Sequence, residues 1–312
     1  MTQISPLGSQ TPISWLYSLW KFSRPHTIIG TTLSVLALFL LAIAATGYPV
    51  NFASSGQLLG AIAACLCGNV YIVGLNQLED IAIDAINKPH LPLAAGEFSP
   101  QQGRWIVGIT GVLALVLAAV LGFWLGLTVA VSLVIGTAYS LPPIRLKRFP
   151  LLAALCIFTV RGVIVNLGLF LHFSQQFGGK IALNAPVGVL TLFVVVFTIA
   201  IAIFKDVPDT EGDRQYQITT FTLLLGKTKI FNLASGIITF CYLAMILLGF
   251  WQIPGINSPL MIGAHGILLA GLWWRSRGVN LDNKAEIASF YQFIWKLFFL
   301  EYLVFPVICL VA

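Results

Sequence analysis

Long apolar stretches broken by short polar connectors run from residue 27 to residue 311. A helix rising 1.5 Å per residue needs about 20 such residues to cross a hydrocarbon layer about 30 Å thick. Measured against that length, the pattern predicts nine spans, near 27–46, 57–78, 105–124, 126–141, 151–173, 186–204, 230–250, 257–275 and 288–311. Ahead of the first, Ile13, Leu16, Tyr17 and Trp20 recur at helical spacing with Trp15 beside them. Residues 1–20 therefore read either as a short helix lying in the membrane interface or as the aromatic collar of the first span. The expected fold class is all-α, a single polytopic membrane domain over 1–312. It would comprise the interfacial segment, two four-helix halves at about 21–150 and 151–287, and a ninth helix at about 288–311.

Composition excludes a soluble globular protein, because 58% of the 312 residues are hydrophobic and 9% are charged, against roughly 25% charged in soluble domains. The net charge of +6 raises the question of nucleic acid. The basic residues are scattered through connectors, with no basic patch interleaved with aromatics, so no nucleic-acid partner is expected. Of seventeen Lys and Arg, Arg161 and Lys296 fall inside spans and only Lys180 lies in a connector of the far side. The positive-inside rule then makes the other face cytoplasmic, with the N-terminus and the connectors 79–104, 142–150, 205–229 and 275–287. Residues 1–20 show no basic-then-apolar signal-peptide pattern, so the first span is expected to act as its own insertion signal. Cys65, Cys67, Cys156, Cys241 and Cys309 all lie in apolar runs without a CxxC pair, which argues against a zinc site or disulfide framework.

Eight of the eleven Asp and Glu lie in two connectors: Glu79, Asp80, Asp84 and Glu97, then Asp206, Asp209, Glu211 and Asp213. Asn76, Asp80 and Asp84 are four apart, so a helix continued past the membrane edge would carry them as one stripe. Asp206, Asp209 and Asp213 follow a three-then-four step, which places them on one helical face in the same way. The clusters are four spans apart and so return to the same side, as an internal four-helix repeat would arrange them. Like charges this close repel unless a cation sits between them. Mg²⁺ is the ion that carboxylates hold when a substrate supplies phosphates; the alternative is a pair of solvated loops.

The stretch Asn76-Gln77-Leu78-Glu79-Asp80-Ile81-Ala82-Ile83-Asp84, continuing to Asn87-Lys88-Pro89 and Leu91-Pro92-Leu93-Ala94-Ala95-Gly96-Glu97, resembles the first aspartate-rich motif of the UbiA-type intramembrane prenyltransferases. Lys205-Asp206-Val207-Pro208-Asp209-Thr210-Glu211-Gly212-Asp213 resembles the second. Nine spans also match that family. Asn76-Gln77, where the family often reads Asn-Asp, together with Phe22-Ser23-Arg24-Pro25-His26-Thr27, is similar to the branch that prenylates homogentisate on the way to tocopherol and plastoquinone.

The resemblance implies a nine-helix bundle with a cytoplasmic-side cap over its active site. It implies transfer of a prenyl group, phytyl first among the candidates, from its diphosphate to homogentisate with loss of CO₂. Solanesyl or geranylgeranyl donors, and chlorophyllide, naphthoate or hydroxybenzoate acceptors, stay open. Asn76, Asp80 and Asp84 would hold one Mg²⁺, and Asp209 and Asp213 the other, with Asp206 as a third candidate. Asp80, Asp84, Asp209 and Asp213 would then be the catalytic carboxylates. The implied partners are the two substrates and the lipid bilayer, in the plasma or thylakoid membrane of a photosynthetic bacterium.

Arg24, Lys88, Arg145, Lys147, Arg148 and Lys205 share the connectors of the acids and are candidate diphosphate contacts, or else topology charges. Tyr139 either faces the reacting carbon or belongs to an interfacial aromatic belt. Arg161 lies about 16 Å along the fifth span, where an ionisable group faces a cavity or a partner. It either binds the acceptor's carboxylate, with Asn166 nearby, or pairs with a buried acid such as Glu301. His26, His90, His172 and His265 form no ligand cluster. A transporter is the competitor from another class, but carriers place their site near the midplane, whereas the acids here crowd one face.

Overall fold

Helix starts are written into the local sequence. Proline stands in the first turn of α2 (Pro25–Thr46), α5 (Pro100–Leu121), α7 (Pro150–Gln176), α8 (Ala185–Phe204) and α12 (Ser258–Ser276), where its missing N–H is no loss. Asn51 opens α3 (Phe52–Glu79) and Ser99 opens α5 with reciprocal capping boxes, which satisfy donors the helix itself leaves free. The computed structural model describes residues 12–180, 182–208, 210–215 and 220–312, the side chains of 211–213 excepted. The remaining elements are α1 (Pro12–Phe22), α4 (Ile81–Asn87), α6 (Phe123–Ser140), α9 (Thr210–Gln215), α10 (Phe221–Leu225), α11 (Lys227–Phe250) and α13 (Lys284–Leu310). A single residue, Gly122 with φ 151°, turns α5 into α6, a conformation that only glycine adopts without strain.

Among the described residues, eight helices are long and apolar enough to cross a membrane, and the chain is a multi-pass membrane protein. The segment expected as a span over 257–275 forms α12 but falls short on apolarity, because it carries His265, Trp273, Trp274 and Arg275. Packing runs α2, α3, α5, α6, α7, α8, α11, α12, α13, and α13 returns to α2, so the bundle closes into a ring. With no hydrophobic drive between helices in lipid, close approach comes from small residues. Buried Ala61, Ala64 and Gly68 of α3 and Gly111, Ala114 and Ala118 of α5 supply it at three- and four-residue spacing. Outward on α5, Ile109, Val112, Val116 and Val120 form an exposed apolar stripe, the face that meets lipid.

Two expectations about the acidic motifs are corrected. The stripe Asn76–Asp80–Asp84 is not on one continuous helix: α3 ends at Glu79, Asp80 takes φ −118° and ψ 17°, and α4 starts afresh at Ile81. Asp206 does not share a helical face with its neighbours either, since Lys205–Pro208 is a turn before α9. Pro208 explains the turn, because proline disfavours helical backbone at the residue before it and offers no N–H of its own. Asp209 and the Asp213 side chain lie outside the described residues. What does join the two motifs is packing of α9 against α4.

Helix α7 is interrupted by a π-helical turn, Thr159–Ile164, unforeseen in the sequence pattern. Below it, Val165–Gln176 packs on α2 and α6; above it, Pro150–Phe158 packs on α8. Gly162 in this turn lies so close to α8 that an added Cβ would sit 2.6 Å from Val195 Cγ2 and 2.9 Å from Val195 Cα. We expect Gly162→Ala to destabilise the protein by about 1–3 kcal/mol, read as a lowered unfolding temperature in detergent. Gly108→Ala, where a Cβ meets nothing within 4 Å, should leave that temperature unchanged.

Candidate functional site

At the end of the bundle that carries both motifs, a cavity of about 1320 Å³ opens between the helices. Asp80 and Asp84 line its mouth, and Thr128 and Arg161 line its depth. From Tyr139 to Thr128 along α6 the helical rise makes this depth about 16 Å. Its wall is largely apolar, with Val35, Ile72, Leu133, Ile157 and Ile201 among the lining residues.

The mouth is an array of ion pairs. Asp80 accepts from Arg145 Nη2 at 3.0 Å through Oδ1, and from Lys147 Nζ at 2.6 Å and Asn76 Nδ2 at 3.3 Å through Oδ2. Asp84 is buried, with Arg24 Nη2 at 3.9 Å and Lys88 Nζ at 4.0 Å. Across the mouth, Lys205 donates to the Tyr139 hydroxyl at 3.1 Å and lies 3.7 Å from Asp206. Burial would lower the proton affinity of Lys205, but Asp206 and Tyr139 outweigh it and raise it above the usual lysine value, so the ammonium persists. At Lys147 burial prevails over the attraction of Asp80, and Arg145 adds to it, so its proton affinity is lowered. Arg24 and Arg145 both adopt positive φ, 54° and 39°, a strained backbone that tends to mark working sites. Each directs its guanidinium at an aspartate of the first motif.

The structure thus brings together Asn76, Asp80, Asp84, Arg24, Lys88, Arg145, Lys147, Tyr139, Lys205 and Asp206 around one opening. Arg148 also lines the opening, exposed at its rim, where it donates to the Pro143 carbonyl oxygen at 3.3 Å and lies over Phe149. Among the described residues no group of three or more His, Cys, Asp and Glu could cage a metal ion. Two carboxylates and an amide nevertheless fit Mg²⁺, which binds through one or two carboxylates together with substrate phosphates rather than in an all-protein cage.

Deeper in, Arg161 lies over the faces of Trp295 and Phe298, 5.0 and 5.7 Å from their centroids. Glu301 is not its partner: that acid is paired with His265, 3.2 Å away between α13 and α12. Asn166 does not face the cavity; it accepts from Tyr302 Oη at 3.0 Å and donates to the Gly162 carbonyl of the π turn at 2.8 Å. Residues the sequence did not single out also line the cavity: Asn69, bonded to Thr27 Oγ1 at 2.9 Å, Trp295 and Tyr302. His26 lies in the first turn of α2 within the cavity wall, 5.0 Å from the Trp295 ring. Its position two residues past Arg24 was the available signal; Trp295 is one aromatic among many in its span.

The profile of the UbiA prenyltransferase family matches residues 28–297. The chain is 62% identical to homogentisate phytyltransferase from Synechocystis sp., covering 93% of this chain and 95% of that one. It is 42% identical to homogentisate phytyltransferase 1, chloroplastic, from Arabidopsis thaliana, over 93% of this chain and 75% of that one. Its fold is similar to the solved structure of a UbiA homologue from Archaeoglobus fulgidus bound to GPP and Mg²⁺, with a TM-score of 0.63 and 16% identity over 95% of this chain and 100% of the other.

One contact beside the mouth is sensitive to acid. Ser18 and Lys21 of α1 both donate to Glu97, and Phe22 and Trp15 pack on Phe98, which ties α1 to the loop after α4. Burial would raise the Glu97 carboxyl, but the bonds from Lys21 and Ser18 and the Lys21 charge hold it below its ordinary value of 4.5. A lowered carboxylate stabilises the folded state above its unfolded value and loses that contribution as pH falls through the folded one. Hydrogen exchange of residues 12–22 should therefore accelerate on acidification below the ordinary glutamate value, and Glu97→Gln should give fast exchange already at neutral pH.

Proposed function

The chain belongs to the UbiA prenyltransferase family, and from that premise we propose that it transfers a phytyl group from its diphosphate to homogentisate, in tocopherol biosynthesis. The observation that carries this reading is the pairing of a charged mouth with an apolar shaft: Asp80 and Asp84 among Arg24, Lys88, Arg145 and Lys147, above a cavity about 16 Å deep. A prenyl diphosphate has the same two ends. Its polyanion suits the mouth and its hydrocarbon suits the wall. The relatives' names supply the acceptor, homogentisate, and the donor, phytyl.

In the reaction the allylic C–O bond breaks and its electron pair leaves on the diphosphate oxygen. A ring carbon of homogentisate attacks the electron-deficient prenyl carbon and gives up its proton. CO₂ departs from the side chain, whose carbon takes a proton and becomes the methyl group. The products are a methyl-phytyl-benzoquinol, CO₂ and diphosphate. Asn76, Asp80 and Asp84 would hold one Mg²⁺, and Asp209 and Asp213 of the second motif another, with Asp206 as a third candidate. When bound, the ion neutralises charge that grows on the leaving diphosphate, a stabilisation that is commonly the largest in such sites. Arg24, Lys88, Arg145, Lys147 and Lys205 supply fixed positive charge to the same end. The Tyr139 ring, with the Lys205 ammonium 5.8 Å from its centroid, presents a π face beside the reacting carbon. The apolar wall excludes water, so that the ring rather than solvent captures the cation.

In the proposed arrangement α12 is a ninth span, the segment 81–99 caps the site, and the mouth faces the cytoplasm, where the basic connectors lie. The membrane is the plasma or thylakoid membrane of a photosynthetic bacterium, in keeping with the Synechocystis relative.

Purified protein with Mg²⁺ and homogentisate, offered phytyl, geranylgeranyl and solanesyl diphosphates in parallel, should form the decarboxylated prenyl quinol, fastest with phytyl. Chelation of Mg²⁺ should abolish it. Asp80→Ala and Asp84→Ala should lower kcat about 100-fold or more. Consumption of no donor with homogentisate would overturn the acceptor, and preference for solanesyl diphosphate would overturn the donor.

A further inference from the structure

Arg161 supplies a cation that the charged mouth does not use. Its guanidinium carries five N–H donors, yet among the described residues it makes no hydrogen bond and no ion pair. It lines the cavity and retains surface accessible to it, although it lies deep in the bundle. The π turn of α7 carries it, Trp295 and Phe298 form an aromatic bed under it, and Gly30 of α2 makes room. A Cβ at Gly30 would stand 3.2 Å from Arg161 Nη1. The turn itself is held by the Asn166 amide on the Gly162 carbonyl, and π turns recur at functional sites.

Depth separates this cation from the diphosphate contacts. Gly30 is six residues beyond Arg24 on α2, about 9 Å by the helical rise, so the Arg161 guanidinium lies well below the level where Arg24 meets Asp84. An unpaired buried guanidinium is strongly disfavoured, and the group it suits best is a carboxylate, which can accept two parallel N–H bonds. We infer that Arg161 is the anchor for the carboxylate of the aromatic acceptor, setting its ring on the mouth side against Trp295 and His26. This rests on the proposed function for the acceptor's identity; the cavity-facing cation is observed independently. It also gives the site a basis for choosing carboxylate-bearing acceptors, since a neutral ring would leave the guanidinium unpaired.

The test compares wild type, Arg161→Lys and Arg161→Gln in detergent, measuring KM for homogentisate, KM for the prenyl diphosphate, and the inhibition constant of homogentisate methyl ester, which has no negative charge. The inference predicts that Arg161→Gln raises the homogentisate KM at least about tenfold, with Arg161→Lys in between. The donor KM should stay within about twofold, and the ester's inhibition constant should be the same in all three proteins. An unchanged homogentisate KM, or an equal weakening of acid and ester, would overturn it and leave Arg161 as a structural cation on its aromatic bed. Should the variants fail to fold, wild type decides alone, because an ester that binds as tightly as the acid contradicts a carboxylate anchor. Failure of wild type to turn over homogentisate at all would instead refute the acceptor assignment itself.

Discussion

The mutual neutralisation of acids and bases at the mouth is the constraint on which the rest of the structure depends. A carboxylate at the edge of a low-dielectric layer is tolerated only with partners, and here the partners come from distant parts of the chain. Asp80 at the end of α3 is held by Arg145 and Lys147 from the turn between α6 and α7, and buried Asp84 faces Arg24, which precedes α2. These pairs set where α3 ends, how α7 begins and how the loop after α4 lies. On the proposed function they also prepare the site for an anionic substrate: the cations that neutralise the aspartates in the free protein are those a diphosphate would meet, so binding would exchange partners instead of exposing charge.

The walls follow a different logic. Helices in lipid approach through small residues, and α3 and α5 meet across Ala61, Ala64, Gly68, Gly111, Ala114 and Ala118. On the other side, α2 and α7 pack below the π turn, while the first part of α7 lies against α8. The space between is the cavity. Arg161 stands at the turn where α7 changes neighbours; the Asn166 amide donates to the Gly162 carbonyl of that turn and accepts from the Tyr302 hydroxyl.

Much of this was legible because the signals are long or paired. Apolar runs of some 20 residues are hard to mistake, and the two acidic motifs declare themselves by spacing and by the return of the chain to one side. What resisted reading was local. A break of one residue at Asp80 leaves the four-residue spacing intact, so periodicity could not reveal it. The turn before Pro208 could have been inferred from the proline, which outweighs the carboxylate spacing around it. The π turn has no sequence signature in an apolar run, and the pairing of Glu301 with His265 joins residues 36 apart, beyond the reach of helical periodicity. For Arg161 the sequence left two roles open; the occupied Glu301 removes the partner then considered and leaves the cation facing the cavity.

On the proposed function, the acidic motifs and their surrounding bases form a metal-dependent seat for a prenyl diphosphate. The most direct test is calorimetric titration of the purified protein with phytyl thiolodiphosphate, an analogue whose leaving group departs slowly, with and without Mg²⁺ and with no acceptor present. Saturable binding is expected with Mg²⁺, lost on chelation and restored on adding the ion back. Equal affinity with and without Mg²⁺ would contradict it.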